Sequence, residues 1–149
     1  MAENYHATAT TRFVNRMMAS LLRLGLGPKR NRLLTTRGRK SGRLHTTPVS
    51  LVIDARQRWL VAPYGAVGWV RNVRANGEAY LRRGRRTERV RLHEVDPHIA
   101  APVLKRYLEQ ERIVRPYFDV EPDADLAEFT AEANRHPVFS ISTLEPGDD

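Results

Sequence analysis

The run Gly38-Arg39-Lys40-Ser41-Gly42 is where this sequence first gathers groups that could do chemistry. A glycine at each end permits positive φ angles and lets a ligand approach the backbone closely. Arg39 and Lys40 bring charge, and a guanidinium can grip a phosphate through two parallel hydrogen bonds. Ser41 and successive backbone N–H groups would complete a concavity for an anion. The same five residues would also serve as an exposed basic hairpin turn. Shortly after them, Thr46-Thr47-Pro48 offers two hydroxyls and a residue with no N–H to give to a sheet. Proline there fits an edge strand or one that faces a ligand.

Other chemistries are absent from the sequence. No glycine stands where a Walker A loop would need one, and no GxGxxG fingerprint occurs. There is no GxSxG and hence no sign of a hydrolase nucleophile elbow. The chain has no cysteine, which removes disulfides, thiolate ligands and a thiol nucleophile. Its histidines, His6, His45, His93, His98 and His136, do not pair at metal-ligand spacing.

Charge favours an anionic partner for the first two thirds of the chain. Residues 1–100 hold twenty Lys/Arg against six Asp/Glu, whereas residues 101–149 hold five against eleven. Nucleic acid, an anionic membrane and a phosphorylated cofactor would all satisfy such a field. A bias toward arginine, which supplies 22 of the 25 basic residues, is the plain alternative. A second basic cluster, Arg82, Arg83, Arg85, Arg86, Arg89 and Arg91, reads as a solvated hairpin face. Nucleic acid is not expected, because no aromatic residues interleave with that cluster and no helix-turn-helix or zinc-finger pattern is present.

These residues need a scaffold. The 149 residues suit one domain, 1–149, with a single core. An amphipathic helix over about 11–26 opens it, with Phe13, Met17, Leu21 and Leu24 recurring on one side and Val14, Met18 and Leu22 widening the stripe. That stripe either packs on the core or, with Arg12, Arg16 and Arg23 beside it, touches a membrane or a lipid-like substrate. Residues 1–10 and the C-terminal tail read as frayed or disordered. Strands are expected at Leu33–Thr36, His45–Ile53 and Arg58–Ala62, then a short helix at Trp69–Ala75 ended by Asn76-Gly77. A hairpin follows over Glu78–Arg83 and Arg85–Glu94. Asp96-Pro97 starts a helix to about Leu108. Residues 109–122 read as irregular, Asp125–Asn134 as an acidic helix and Val138–Ser142 as a last strand. Tight turns between strands imply an antiparallel sheet, and six short strands with few helices imply an α+β barrel. Neither a secretory leader nor an apolar run near ~20 residues is visible. The expected location is therefore cytoplasmic, with membrane association through the first helix as the other reading.

Taken together, Leu33-Leu34-Thr35-Thr36-x-Gly38-Arg39-Lys40-Ser41-Gly42-x-x-x-Thr46-Thr47-Pro48 resembles the signature of the deazaflavin-dependent nitroreductase family. Trp69-x-x-Asn72-x-x-Ala75-Asn76 resembles that family's tryptophan–asparagine helix. The resemblance implies a split β-barrel related to flavin-binding ones and coenzyme F-420 as cofactor, with FMN second. It also implies hydride transfer to a quinone, enone or nitro compound. By the same resemblance Arg39, Lys40 and Ser41 hold the phosphate and the start of the acidic tail. His45, Thr46, Thr47, Pro48, Val49 and Ser50 line the ring. Val61, Ala62, Pro63 and Tyr64 approach it from another side, and Trp69 and Asn72 close the pocket. Tyr64 and Tyr117 are the candidate proton donors, beside water. The chain departs from many relatives in having His45 after the turn and Pro63-Tyr64-Gly65 at the third strand's end. A barrel that carries deazaflavin, flavin or haem without turnover is the alternative function. The oligomeric state stays open.

Overall fold

The computed structural model describes Ala2 and residues 8–146. Much of the expected frayed start, His6 included, and the last three residues of the expected tail lie outside the described residues. Thr8 begins the first helix, α1 (Ala9–Arg23), by accepting the Thr11 N–H on its side chain. Gly25, at φ +77°, follows its end. The helix therefore starts and stops a little earlier than the stripe predicts.

The stripe is divided between the core and the surface. Phe13, Met17, Leu21 and Leu24 are exposed, while Leu22 is fully buried and Thr11, Asn15, Met18 and Ala19 are half-buried. Two ties set this rotation. The Leu22 carbonyl accepts the Gly84 N–H at 2.7 Å, and Gly25 lies flat against Gly84, where an added Cβ would sit 3.4–3.7 Å from backbone.

Six strands follow: β1 (Asn31–Arg37), β2 (Leu44–Asp54), β3 (Gln57–Val61), β4 (Glu78–Arg83), β5 (Arg86–Glu94) and β6 (Val138–Glu145). They close into a barrel in the order β1-β2-β3-β6-β5-β4, with every pair antiparallel. The α+β split-barrel expectation is met. β6 runs past the expected Ser142 because it seals the barrel between β3 and β5, pairing Thr143 with Val90 and Glu145 with Arg89. The short helix α2 (Gly68–Asn76) ends at Gly77 in the left-handed conformation. Asp96 caps α3 (Pro97–Gln110) by accepting from His98 and Ile99. The stretch expected to be irregular contains a 3-10 turn over Arg112–Tyr117, and α4 (Leu126–Glu132) follows.

Alternation along β2 and β3 divides the core in two. Leu51 and Leu60 point into the barrel with Leu34, Leu81, Val90 and Phe139. Val52 and Val61 point outward against Leu104, Tyr107, Leu108 and Phe129 of α3 and α4. Each such side chain contributes about 1.5–3 kcal/mol on burial. The second layer is what fixes α3 beside the open end of β2.

Candidate functional site

β2 changes partner halfway along: Leu44 to Ser50 pair with β1, through Thr36↔His45 to Asn31↔Ser50, and Leu51 to Asp54 with β3. The first half thus presents a free edge, and Pro48 sits on it with no N–H to leave unsatisfied. A cavity of about 650 Å³ opens along this edge. That volume is within the range of small-molecule and cofactor sites.

The basic turn forms one rim. Gly38 N–H donates to Arg43 O at 2.6 Å, and Gly42 N–H to Gly38 O at 3.0 Å. Only Gly42 has a positive φ, +73°. Gly38 is required for a different reason than conformational freedom: a Cβ there would meet Ser41 Oγ at 2.8 Å and His45 Nε2 at 3.2 Å. Arg39, Lys40 and Ser41 are exposed on this rim and line the cavity. Among the described residues no ion pair engages Arg39 or Lys40.

α2 holds that turn in place. The buried Asn72 accepts both the Arg39 backbone N–H (3.2 Å) and its guanidinium (3.0 Å), and donates to Thr36 Oγ1 at 3.2 Å. Asn76 donates to the Arg37 carbonyl at 2.9 Å. Both asparagines of this helix therefore clamp the turn, and Asn72 also borders the cavity. Trp69, tilted against Phe139 at 5.8 Å, forms the wall beside them.

The third side is the strand end Val61-Ala62-Pro63-Tyr64. Val61, Pro63 and Tyr64 line the cavity; Ala62 does not, because its alternating position turns it into the barrel core. The segment is braced from behind. Ala62 N–H donates to Pro137 O at 2.9 Å, and Gly65, at φ +82°, lies against Arg135 O. His136 is buried there, stacked on Phe118 at 3.8 Å and 3.1 Å from Glu132. Burial lowers the His136 pKa, outweighing the nearby Glu132 carboxylate. Tyr117 does not line the cavity; it stands edge-on to Tyr64 with ring centroids 5.0 Å apart.

Every other residue expected in the pocket lines it: Arg39, Lys40, Ser41, His45, Thr46, Thr47, Pro48, Val49, Ser50, Trp69 and Asn72. The fourth wall was not foreseen. α1 supplies Val14, Asn15 and Met18, and α3 with the turn after it supplies Tyr107, Glu111 and Ile113. Glu111 is fixed by Arg30 at 2.7 Å. The i, i+4 spacing of Tyr107 and Glu111 was the available sign that they share one helical face. Nothing local says that this face meets the open edge of β2. Among the described residues, no group of three or more His, Asp or Glu is placed to hold a metal, and no helix is long and apolar enough to cross a membrane.

A family model described as F420H(2)-dependent quinone reductase matches residues 9–123. No curated protein matches the sequence. Solved structures share the fold at low identity. One described as an F420-H2 dependent reductase is 23% identical, covering 76% of this chain and 95% of its own, with a TM-score of 0.51. Another, described as a domain-swapped dimer, is 22% identical over 90% of this chain and all of its own, with a TM-score of 0.56. The General Stress Protein 26 from Bacillus anthracis is 8% identical over 87% of this chain and 88% of its own, with a TM-score of 0.52.

Proposed function

The chain belongs to the F420H(2)-dependent quinone reductase family, and from that premise we propose how its cavity divides the work of the reaction. The protein is a deazaflavin-dependent oxidoreductase that uses coenzyme F-420 and reduces a small quinone-type acceptor. When bound, the reduced deazaflavin supplies the hydride. The chain's own residues bind, orient and shield.

The residues present suit that cofactor. A phosphate and an acidic tail call for uncompensated cations at the rim of an otherwise apolar slot. Among the described residues Arg39 and Lys40 have no carboxylate partner, and they border the same cavity as Pro48, Val49, Val61 and Trp69. This juxtaposition carries the reading. Arg39, Lys40 and Ser41 hold the phosphate, with Asn72 keeping the Arg39 backbone aimed. His45 to Ser50 lie along one side of the ring, with Val61, Pro63 and Tyr64 on the other. The acceptor enters at the end bounded by α1, Tyr64 and Tyr107.

Titration of the purified protein with oxidised coenzyme F-420 and with FMN, followed by cofactor fluorescence, tests this. Micromolar or tighter binding of the deazaflavin with much weaker FMN supports the assignment; weak binding of both overturns it.

A second reading concerns where the acceptor comes from. Phe13, Met17, Leu21, Leu24 and Leu26 are exposed beside Arg12 and Arg16, and Val14 links that face to the cavity. This face rests on an anionic membrane and admits lipid-like quinones from it. Cosedimentation with anionic vesicles should fall for Phe13→Ser with Met17→Ser while reduction of a soluble quinone persists. Unchanged cosedimentation would remove the membrane reading.

A further inference from the structure

Tyr107 is among the most buried polar groups bordering the cavity, at 3% exposure. It sits on α3 one turn before Glu111, and its neighbours Leu104 and Leu108 anchor the helix in the outer core. No hydrogen bond among the described residues engages its hydroxyl, although that group lies within the electrostatic reach of Glu111, Tyr64 and Arg30. The hydroxyl is not among the fully enclosed polar atoms that lack a partner, so a molecule in the cavity can reach and bond to it. Burial, then the Glu111 carboxylate and Tyr64, hold its proton well above the ordinary tyrosine range. The group is therefore a donor at every working pH and never a base.

We infer that Tyr107 donates a hydrogen bond to the carbonyl oxygen of the acceptor and so selects quinone-type acceptors over hydride acceptors that carry no oxygen. This rests on the cavity reading given above. Hydride addition brings two electrons and one hydrogen to the quinone, and the carbonyl π pair moves onto oxygen. The hydroquinone anion then takes its remaining proton from solvent at the cavity mouth. A donor fixed at that oxygen stabilises the charge as it gathers, in a site with little water to do so. Tyr64, at 37% exposure, and Tyr117, outside the lining, are less well placed for that. Of the strand hydroxyls in the lining, Thr46 already bonds Thr35 at 2.8 Å and Ser50 bonds Asn31 at 2.7 Å, which leaves Thr47 as the rival donor.

The test compares the parent with Tyr107→Phe on two acceptors, menadione and N-methylacridinium, both with reduced coenzyme F-420. Melting temperature and deazaflavin affinity are measured on both proteins. Menadione affinity for the complex with oxidised cofactor is measured by calorimetry, where no turnover occurs. The expected result is a loss of roughly 10- to 100-fold in kcat/KM for menadione, weaker menadione binding, and N-methylacridinium reduction within about twofold of the parent. Equal losses on both acceptors would make Tyr107 a packing residue and overturn the inference, as would an unchanged menadione rate. A parent protein that fails to bind the deazaflavin would instead overturn the cavity reading, and this shows before any substitution is made.

Discussion

Two arginine-rich segments of this chain have nearly the same composition and opposite fates. In the turn at 38–43, Arg39 and Lys40 face a cavity and, among the described residues, form no ion pair. Along β4 and β5 the arginines are mostly occupied. Arg83 donates to the carbonyls of Gly25, Gly27, Pro28 and Asn31, and Arg82 to Gly84. Arg89 and Arg91 pair with Glu78, and Arg89 also with Glu145. The nearby Arg58 pairs with Glu88, and Arg32 is held below its usual pKa by burial and then by Arg83 and Arg58. Charge density alone does not mark a ligand site. Charges left unpaired at a concave surface do.

The largest effect should come from emptying the turn. Arg39→Ala with Lys40→Ala should weaken deazaflavin binding by about 2–4 kcal/mol at moderate salt, since charge-assisted bonds contribute ~1.5–3 kcal/mol each. Arg85→Ala with Arg86→Ala, on the other segment, should leave the affinity within about twofold. Fluorescence titration of the two double variants decides between them, and equal losses would erase the contrast.

Asn72→Ala comes next. It strips Arg39 of its anchor and leaves the buried Thr36 hydroxyl without its donor, costing about 1–3 kcal/mol in stability. It should also weaken the cofactor although Asn72 carries no charge. Denaturant unfolding and the same titration would show both, and a stability loss with full affinity would detach the helix from the turn.

Arg83→Ala should do the reverse. Losing the carbonyl clamp on the segment after α1 should lower stability by about 1–2 kcal/mol, with deazaflavin affinity intact. A thermal melt beside the titration sharpens the comparison if only the melt moves.

The smallest effect is a pH dependence. Burial raises the Glu88 carboxyl pKa, but the Arg58 hydrogen bond and charge outweigh it and leave it below the ordinary value of 4.5. The unfolded chain therefore takes up this proton first. The contribution is present above about pH 4.5 and is lost as acidification passes the folded value. Glu88→Gln should flatten that part of the stability profile by about 1 kcal/mol, measured by unfolding between neutral and acid pH.

Much of the scaffold was legible because its signals are local. Asp96-Pro97 capped α3 as expected, Asn76-Gly77 ended α2, and Glu78–Arg83 is β4 to the residue. The α1 stripe left the helix's rotation open for a physical reason. Apolar periodicity identifies a face but not its partner, and the backbone ties at Leu22–Gly84 turned Met18 and Leu22 inward. Ala62 was placed with its neighbours in the pocket by resemblance, whereas alternation along the strand sends it into the core.

By itself the sequence determined the element order, the antiparallel barrel and the basic, glycine-bounded turn at 38–42. Those follow from caps, turn residues, alternation and glycine, all of which act within a few residues. Only the tertiary structure decided which arginines meet carboxylates, that half of β2 opens onto a cavity, and that Tyr107 borders it. Each of these depends on groups far apart in the chain, and pairing or burial is a property of neighbours in space.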